Sequence, residues 1–307
     1  MMDVVTHEWQ IKTANIRGLK SAWIEAGPEG ADLLIFLHGY PDTPECWEHQ
    51  IRFFSTRYRV IAPFMRGVGE SDPGDSVRRY GTVPVTLDLL EIINIVDPGQ
   101  KQRIFCVGHD LGSVYAWNLA ASLSDRASGL VIINGLSIGQ MLKRWRYPEQ
   151  LRKSWYIYLM QLPLLPEAIV RLMPGKILKL AHHLGGLEES KRPDSAKTKS
   201  ALRHPLNQYR SFFREIPRAI ANPVTKVQCS VLVLWGSEDA FLMPPRLDEL
   251  KADAEKVTVR ILAGGHWLQR QVPDNVNDLI NRFFGDQHYE RKLAAKERVE
   301  NNIATGR

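Results

Sequence analysis

The stretch FCVGHDLGSV, residues 105–114, decides how the rest of the chain is read. An apolar run ends in Gly108-His109-Asp110-Leu111-Gly112-Ser113, and a helical pattern of apolar residues begins directly after it. Small residues stand two before and two after Asp110. That is the layout of a nucleophile elbow, a strand-to-helix turn so sharp that only small flanks fit and the strained central side chain projects alone above the sheet. A serine there would attack a carbonyl carbon. A carboxylate instead attacks a saturated, electrophilic carbon and leaves an ester whose carbonyl belongs to the protein. The N-terminus of the helix that follows supplies backbone N–H groups and positive dipole, which keep Asp110 ionised. An ordinary strand-turn-helix with an N-cap aspartate looks the same in isolation, so the reading depends on what else the chain provides.

Working outward, short β-rich runs recur at 33–39 (LLIFLHG), 58–64 (YRVIAPF), 103–110 (RIFCVGHD), 129–135 (GLVIING), 229–236 (CSVLVLWG) and 257–265 (VTVRILAGG). Helical spacing separates them, as in TVPVTLDLLEIINIV (82–96) and GSVYAWNLAASL (112–123). Continuous apolar strands alternating with helices predict an α/β fold with a mostly parallel sheet covered on both faces. HEWQIKT and LKSAWIEAG near the N-terminus predict an antiparallel pair at one edge. The gap between GLVIING and CSVLVLWG is too long for a loop and must hold structure of its own. It reads as helices: YPEQLRKSWYIYLMQL ending before Pro163, PEAIVRLM opening on a proline, and PLNQYRSFFREI closed by Pro217. Residues 185–200 (GGLEESKRPDSAKTKS) read as a polar, mobile connection, and the tail from Asp286 as a charged helix or frayed end.

Three further placements converge on the elbow. His38-Gly39-Tyr40-Pro41 ends an early strand, where the backbone N–H of Tyr40 could join that of Leu111 as a two-donor oxyanion hole. Asp239 follows the strand CSVLVLWG, and His266 follows VTVRILAG. Nucleophile, acid, histidine, each after a strand, is the chain order of the α/β-hydrolase triad. Asn134 offers an amide after GLVIING, where some such chains carry the acid, so the acid is expected to be Asp239 with Glu238 as the fallback.

On these residues the chain resembles the α/β-hydrolase superfamily over nearly its whole length, and within it the epoxide hydrolase family. Arg66-Gly67-Val68-Gly69-Glu70-Ser71-Asp72 also matches the superfamily's glycine-rich turn. The resemblance implies a core of residues 1–135 and 223–307 with a helical cap, 136–222, inserted between strands. It implies that two cap tyrosines hold the epoxide oxygen, here Tyr156 and Tyr209. Tyr158 competes for the first role, but two residues apart on a helix is about 200° around the axis, so only one of Tyr156 and Tyr158 can face a cavity. Tyr156 is chosen. His38, Pro41, Trp155 and Trp267 are expected around the substrate. The chemistry implied is attack by Asp110, then hydrolysis of its ester by water that His266 deprotonates while Asp239 orients the imidazole.

The leaving group separates this from dehalogenation on the same fold. An epoxide alkoxide calls for a phenolic proton, whereas a halide needs neutral N–H donors or aromatic edges. Haloalkane dehalogenases commonly carry tryptophan after the nucleophile and haloacetate dehalogenases carry arginines, where this chain has Leu111, Ser113 and Val114. Trp155 keeps a dehalogenase reading open, and a non-catalytic ligand-binding relative of the fold is the minor alternative.

The bulk numbers agree with a globular enzyme. The chain has 307 residues, 44% of them hydrophobic, with three widely spaced cysteines (Cys46, Cys106, Cys229) that suggest neither a disulfide framework nor a metal site. No metal or other cofactor is expected. No run is long and apolar enough for a membrane span, and the first residues lack a signal-peptide pattern, so a cytoplasmic location is expected. The net charge of +6 is concentrated in residues 136–222, which hold 16 Lys/Arg against 6 Asp/Glu. Without an RNA-type aromatic motif or a Cys/His finger this reads as a solvated face rather than a nucleic-acid site. His182-His183 lies there without companion ligands, and His109 reads as a support for the turn. The expected partners are a small hydrophobic epoxide and water, with the chain a monomer or homodimer.

Overall fold

Eight strands form one sheet in the order β1-β2-β4-β3-β5-β6-β7-β8. The computed structural model describes residues 9–188, 202, 204–221 and 226–285. β1 (Gln10–Ile16) and β2 (Leu19–Ala26) form the antiparallel edge pair, and β2 also runs antiparallel to β4 (Arg59–Pro63). All later pairings are parallel, through β3 (Leu33–Leu37), β5 (Ile104–His109), β6 (Ala127–Ile133), β7 (Val231–Gly236) and β8 (Val257–Leu262). The central strands are buried at every position because helices cover both sides, which is why they read as unbroken apolar runs. β8, at the other edge, alternates in exposure instead. β3, β5 and β8 are shorter than their apolar runs suggested, since each run continues into the turn after the strand, whereas β6 keeps its length and begins two residues earlier.

The early helices are α1 (Glu48–Phe54), α2 (Thr82–Val96) and α3 (Leu111–Leu123), the second matching its expected bounds. Between β6 and β7 stand α4 (Ile138–Arg144), α5 (Pro148–Lys153), α6 (Trp155–Leu159), α7 (Leu165–Leu172), α8 (Pro174–Leu184) and α9 (Leu206–Ala221). The core strands then resume, with α10 (Leu247–Asp253), α11 (Leu268–Gln271) and a final helix over 273–285. Among the described residues no helix is long and apolar enough to cross a membrane.

Three local expectations in the inserted region are corrected. The single helix expected over 147–162 breaks at Ser154, whose ψ of 7° opens the turn while its Oγ accepts from Gln150 Nε2 at 3.0 Å. Pro217 does not close α9, which runs on to Ala221. Proline removes one helical hydrogen bond, but Leu206, Tyr209 and Phe212 anchor the helix before it, and Glu215 accepts from the N–H of Thr82 at the start of α2. The segment called mobile begins at Gly185 and Gly186, which are docked as described below; its part over 189–200, like the tail from Asp286, lies outside the described residues.

Candidate active site

Asp110 sits at φ 52° and ψ −124°, between the last residue of β5 and the first of α3. Only a tightly over-determined turn holds a non-glycine residue there, and the neighbours supply it. A Cβ on Gly112 would lie 2.1 Å from the carbonyl oxygen of Leu37, and one on Gly39 would lie 2.4 Å from the Cβ of Asp110. The backbone of the β3 turn therefore presses against the elbow, and the N–H of Tyr40 reaches Asp110 Oδ1 at 2.9 Å. The N–H of Leu111 also donates to this carboxylate. Oδ2 faces His266 instead, with Nε2 at 3.5 Å. The two oxygens thus have different surroundings, Oδ1 held by the Tyr40 N–H and Oδ2 set against the His266 ring. Burial alone would raise the Asp110 pKa, but hydrogen bonding and charge from His266, with help from His109 and the Leu111 N–H, lower it below the usual carboxylate value.

His266 is almost fully buried in the turn after β8. Its Nδ1 lies 2.9 Å from Asp239 Oδ2, and Asp239 Oδ1 accepts from the N–H groups of Phe241 and Leu242 at 2.8 and 3.1 Å. Burial pulls the imidazole pKa down, but the carboxylates of Asp239 and Asp110 outweigh it and raise it to about 10. In the resting protein the ring is an imidazolium between two carboxylates. Glu238 is exposed and not part of this arrangement.

The inserted helices complete the pocket. Tyr156 on α6 and Tyr209 on α9 meet edge to face at 6.1 Å, and each phenol influences the other's proton affinity. Burial, with the nearby Asp110 charge, raises both phenol pKa values well above 10, so both stay protonated. Tyr158 points the other way: it is 39% exposed and packs on Trp145 and Phe213. Asp110, His266, Tyr156 and Tyr209 all line one cavity of about 250 Å3 whose walls are otherwise nearly all apolar.

Pro41, Trp155 and Trp267 also line this cavity, but His38 does not. The expectation for His38 is corrected because both its ring nitrogens brace the turn. Nδ1 donates to the carbonyl of Gly39 at 2.9 Å and Nε2 accepts from the N–H of Met65 at 3.2 Å. Burial lowers its pKa to about 4, which keeps it neutral for that role. His109 is likewise neutral, burial lowering it to about 3, and its Nε2 donates to the His266 carbonyl at 2.9 Å.

Several contributors carry no local sequence signal. Asn134 donates through Nδ2 to the carbonyls of Gly265 and His266 at 2.7 and 2.8 Å and accepts from the N–H of Gly236 at 2.7 Å. It ties β6 to the acid and histidine turns. Asp42 accepts from the indole of Trp267 at 2.7 Å. The inserted helices are also fastened to both turns. Lys153 Nζ donates to the carbonyl of Asp239 at 2.7 Å, and Gln150 bonds the backbone of Phe241 and Met243. After α8, the carbonyl of Gly185 accepts from the N–H of His266 at 3.0 Å, and Gln271 bridges Gly265 and Gly186. Only glycine fits at 185, since a Cβ would come within 2.0 Å of the Trp267 ring.

Comparison with known proteins adds to this geometry. The Alpha/beta hydrolase family matches residues 34–279. Epoxide hydrolase 4 of Mus musculus is 31% identical over 288 residues, covering 88% of this chain and 77% of its own. Epoxide hydrolase 2 of Caenorhabditis elegans is 29% identical over 299 residues, covering 92% of this chain and 81% of its own. The fold matches the crystal structure of a Bacillus megaterium epoxide hydrolase in complex with an inhibitor, with TM-score 0.75 and 22% identity, over 89% of this chain and all of that one. The chain belongs to the α/β-hydrolase family, and within it to the epoxide hydrolases.

Proposed function

We propose that the protein hydrolyses an apolar epoxide to a vicinal diol through a covalent ester on Asp110, with residues 136–222 acting as the cap over the site. The observation that carries this reading is the Asp110 carboxylate itself, with Oδ1 held by the Tyr40 N–H, Oδ2 beside His266, and the group lining a cavity that also presents two protonated phenols. Oδ2 attacks a ring carbon, a C–O bond forms, and the ring C–O bond breaks. Tyr156 and Tyr209 hold the ring oxygen, and one of them delivers its proton to the alkoxide. That phenolate is then reprotonated at the expense of the His266 imidazolium.

This proton shift readies the second half. Esterification removes the Asp110 charge, one of the two carboxylates that raise the His266 pKa, so the imidazole gives up its proton more easily. The neutral ring then takes a proton from water, which adds to the ester carbonyl carbon. The oxyanion on Oδ1 is met by the N–H groups of Tyr40 and Leu111, already in place in the resting site. Collapse releases the diol and restores the aspartate–imidazolium pair.

Because water attacks the enzyme's carbonyl rather than the substrate carbon, a single turnover in heavy-oxygen water should place label in the side chain of Asp110. Peptide mass spectrometry reads this directly. Label confined to the diol would refute the covalent route.

A further inference from the structure

The cavity opens through a part of the surface whose composition the hydrolytic reaction does not explain. Leu180 and Leu184 on α8 and Trp155 on α6 line the cavity and are nevertheless 56, 47 and 59% exposed, so they form its rim. Around that rim α7 and α8 turn large apolar side chains to the outside, chief among them Leu164 at 80%, Leu172 at 77% and Met173 at 42%. Scattered exposed leucines are ordinary, but this many on two neighbouring short helices make a patch that marks an interaction surface.

The exposed charges of α7 and α8 have one sign. Arg171, Lys176 and Lys179 are exposed there, and Met173, Lys176, Leu180 and Leu184 recur at the three- and four-residue spacing of one helix stripe. The one carboxylate of α7 and α8, Glu167, is paired with Arg210. Leu164 adds an independent sign of selection for contact. It occupies the N-cap of α7 at φ 62°, a place where a bulky residue is strained and a polar residue would satisfy the helix end. A leucine there costs conformational and solvation energy unless something apolar receives it.

Cationic residues interleaved with leucines and an aromatic residue are the composition of helices that lie in the plane of a membrane interface. We infer that the α7–α8 face seats on an anionic lipid surface, with the cavity rim turned into the bilayer interface. A second copy of the chain fits less well, since a two-fold contact would bring Arg171, Lys176 and Lys179 towards their own counterparts and close the cavity mouth. On the proposed epoxide reading, the consequence is that the substrate is a lipophilic epoxide dissolved in the membrane, entering past Leu180 and Leu184 without crossing water.

The test is co-sedimentation of the full chain with vesicles of phosphatidylcholine alone or mixed with phosphatidylserine. The protein should pellet with the mixed vesicles, weakly or not at all with the neutral ones, and less as salt is raised. Changing Arg171, Lys176 and Lys179 together to glutamine should weaken binding on the order of 100-fold, at roughly 5-fold per basic residue near an anionic surface. Leu164→Asp with Leu172→Asp should lower it by at least about tenfold, while turnover of a water-soluble epoxide such as styrene oxide stays at the parent rate, since neither residue lines the cavity. Equal binding to both vesicle types, no binding, or a dimer in solution that the Leu172→Asp change breaks would overturn the inference. Sedimentation needs no catalysis, so a protein that pellets but opens no epoxide would refute the functional reading and leave the docking surface standing.

Discussion

Two carboxylates share one imidazole in the resting site, and that sharing sets how His266 responds to substitution and to pH. Replacing it with glutamine removes the base for ester hydrolysis but leaves Oδ2 of Asp110 free to attack. His266→Gln should therefore accumulate a covalent adduct after epoxide is added, visible as a mass increase on the intact protein, whereas the parent protein shows little. The stability consequence follows from the sign of the shift. The folded-state pKa is raised from 6.5 to about 10, so the contribution is fully present below pH 6.5 and is lost as pH rises through about 10. Unfolding free energy should decline across that window in the parent and much less in His266→Gln, as measured by denaturant titration at stepped pH. In the proposed mechanism the tyrosines act on the first step only. Tyr156→Phe or Tyr209→Phe should slow ester formation, by roughly 10²–10⁴-fold if each is a positioned acid, and the double change should nearly abolish it. A double variant that opens epoxides at the parent rate, or a parent that releases halide from bromoalkanes faster than it opens any epoxide, would turn attention to Trp155 at the cavity rim.

Among the elements, the turns after β7 and β8 are positioned by contacts from other strands and helices rather than by their own sequence. Asn134 is the clearest case, with φ 43° and three buried hydrogen bonds to the turns that carry Asp239 and His266. Asn134→Ala leaves a buried N–H and two carbonyls short of partners and should cost roughly 3 kcal/mol of stability, read from the unfolding midpoint, with ester hydrolysis slowed more than ester formation. The elbow, its flanking glycines and the strand that feeds it were legible in the sequence, because a steric demand at one turn leaves a local trace. The order of Asp110, Asp239 and His266 was legible too, since each follows an apolar run. The direction of the His38 ring was not, because a place beside Tyr40 does not say which way the side chain turns. The break at Ser154 and the passage of α9 through Pro217 depend on partners such as Gln150 and Glu215, which local propensity does not see. The contact of Asp42 with Trp267 joins residues 225 positions apart, and no motif records it.

Across the whole molecule, the inserted helices form a surface of their own beside the sheet, and three of the 16 basic residues of 136–222 stand on α7 and α8. Three of those charges, Arg171, Lys176 and Lys179, are exposed on the helices whose Leu180 and Leu184 line the cavity, as a solvated face requires. The same inserted region grips the turns after β7 and β8 at two points: α5 through Lys153 and Gln150 on the Asp239 side, and the Gly185-Gly186 turn on the His266 side. A lid hinged freely at its base could swing without disturbing the chemistry beneath it. Here the insertion is fastened on either side of α6, α7 and α8 to the turns that carry Asp239 and His266. Transplanting these helices into another α/β hydrolase would therefore require a recipient that offers a backbone N–H to donate to the Gly185 carbonyl and a turn with no side chain in its path.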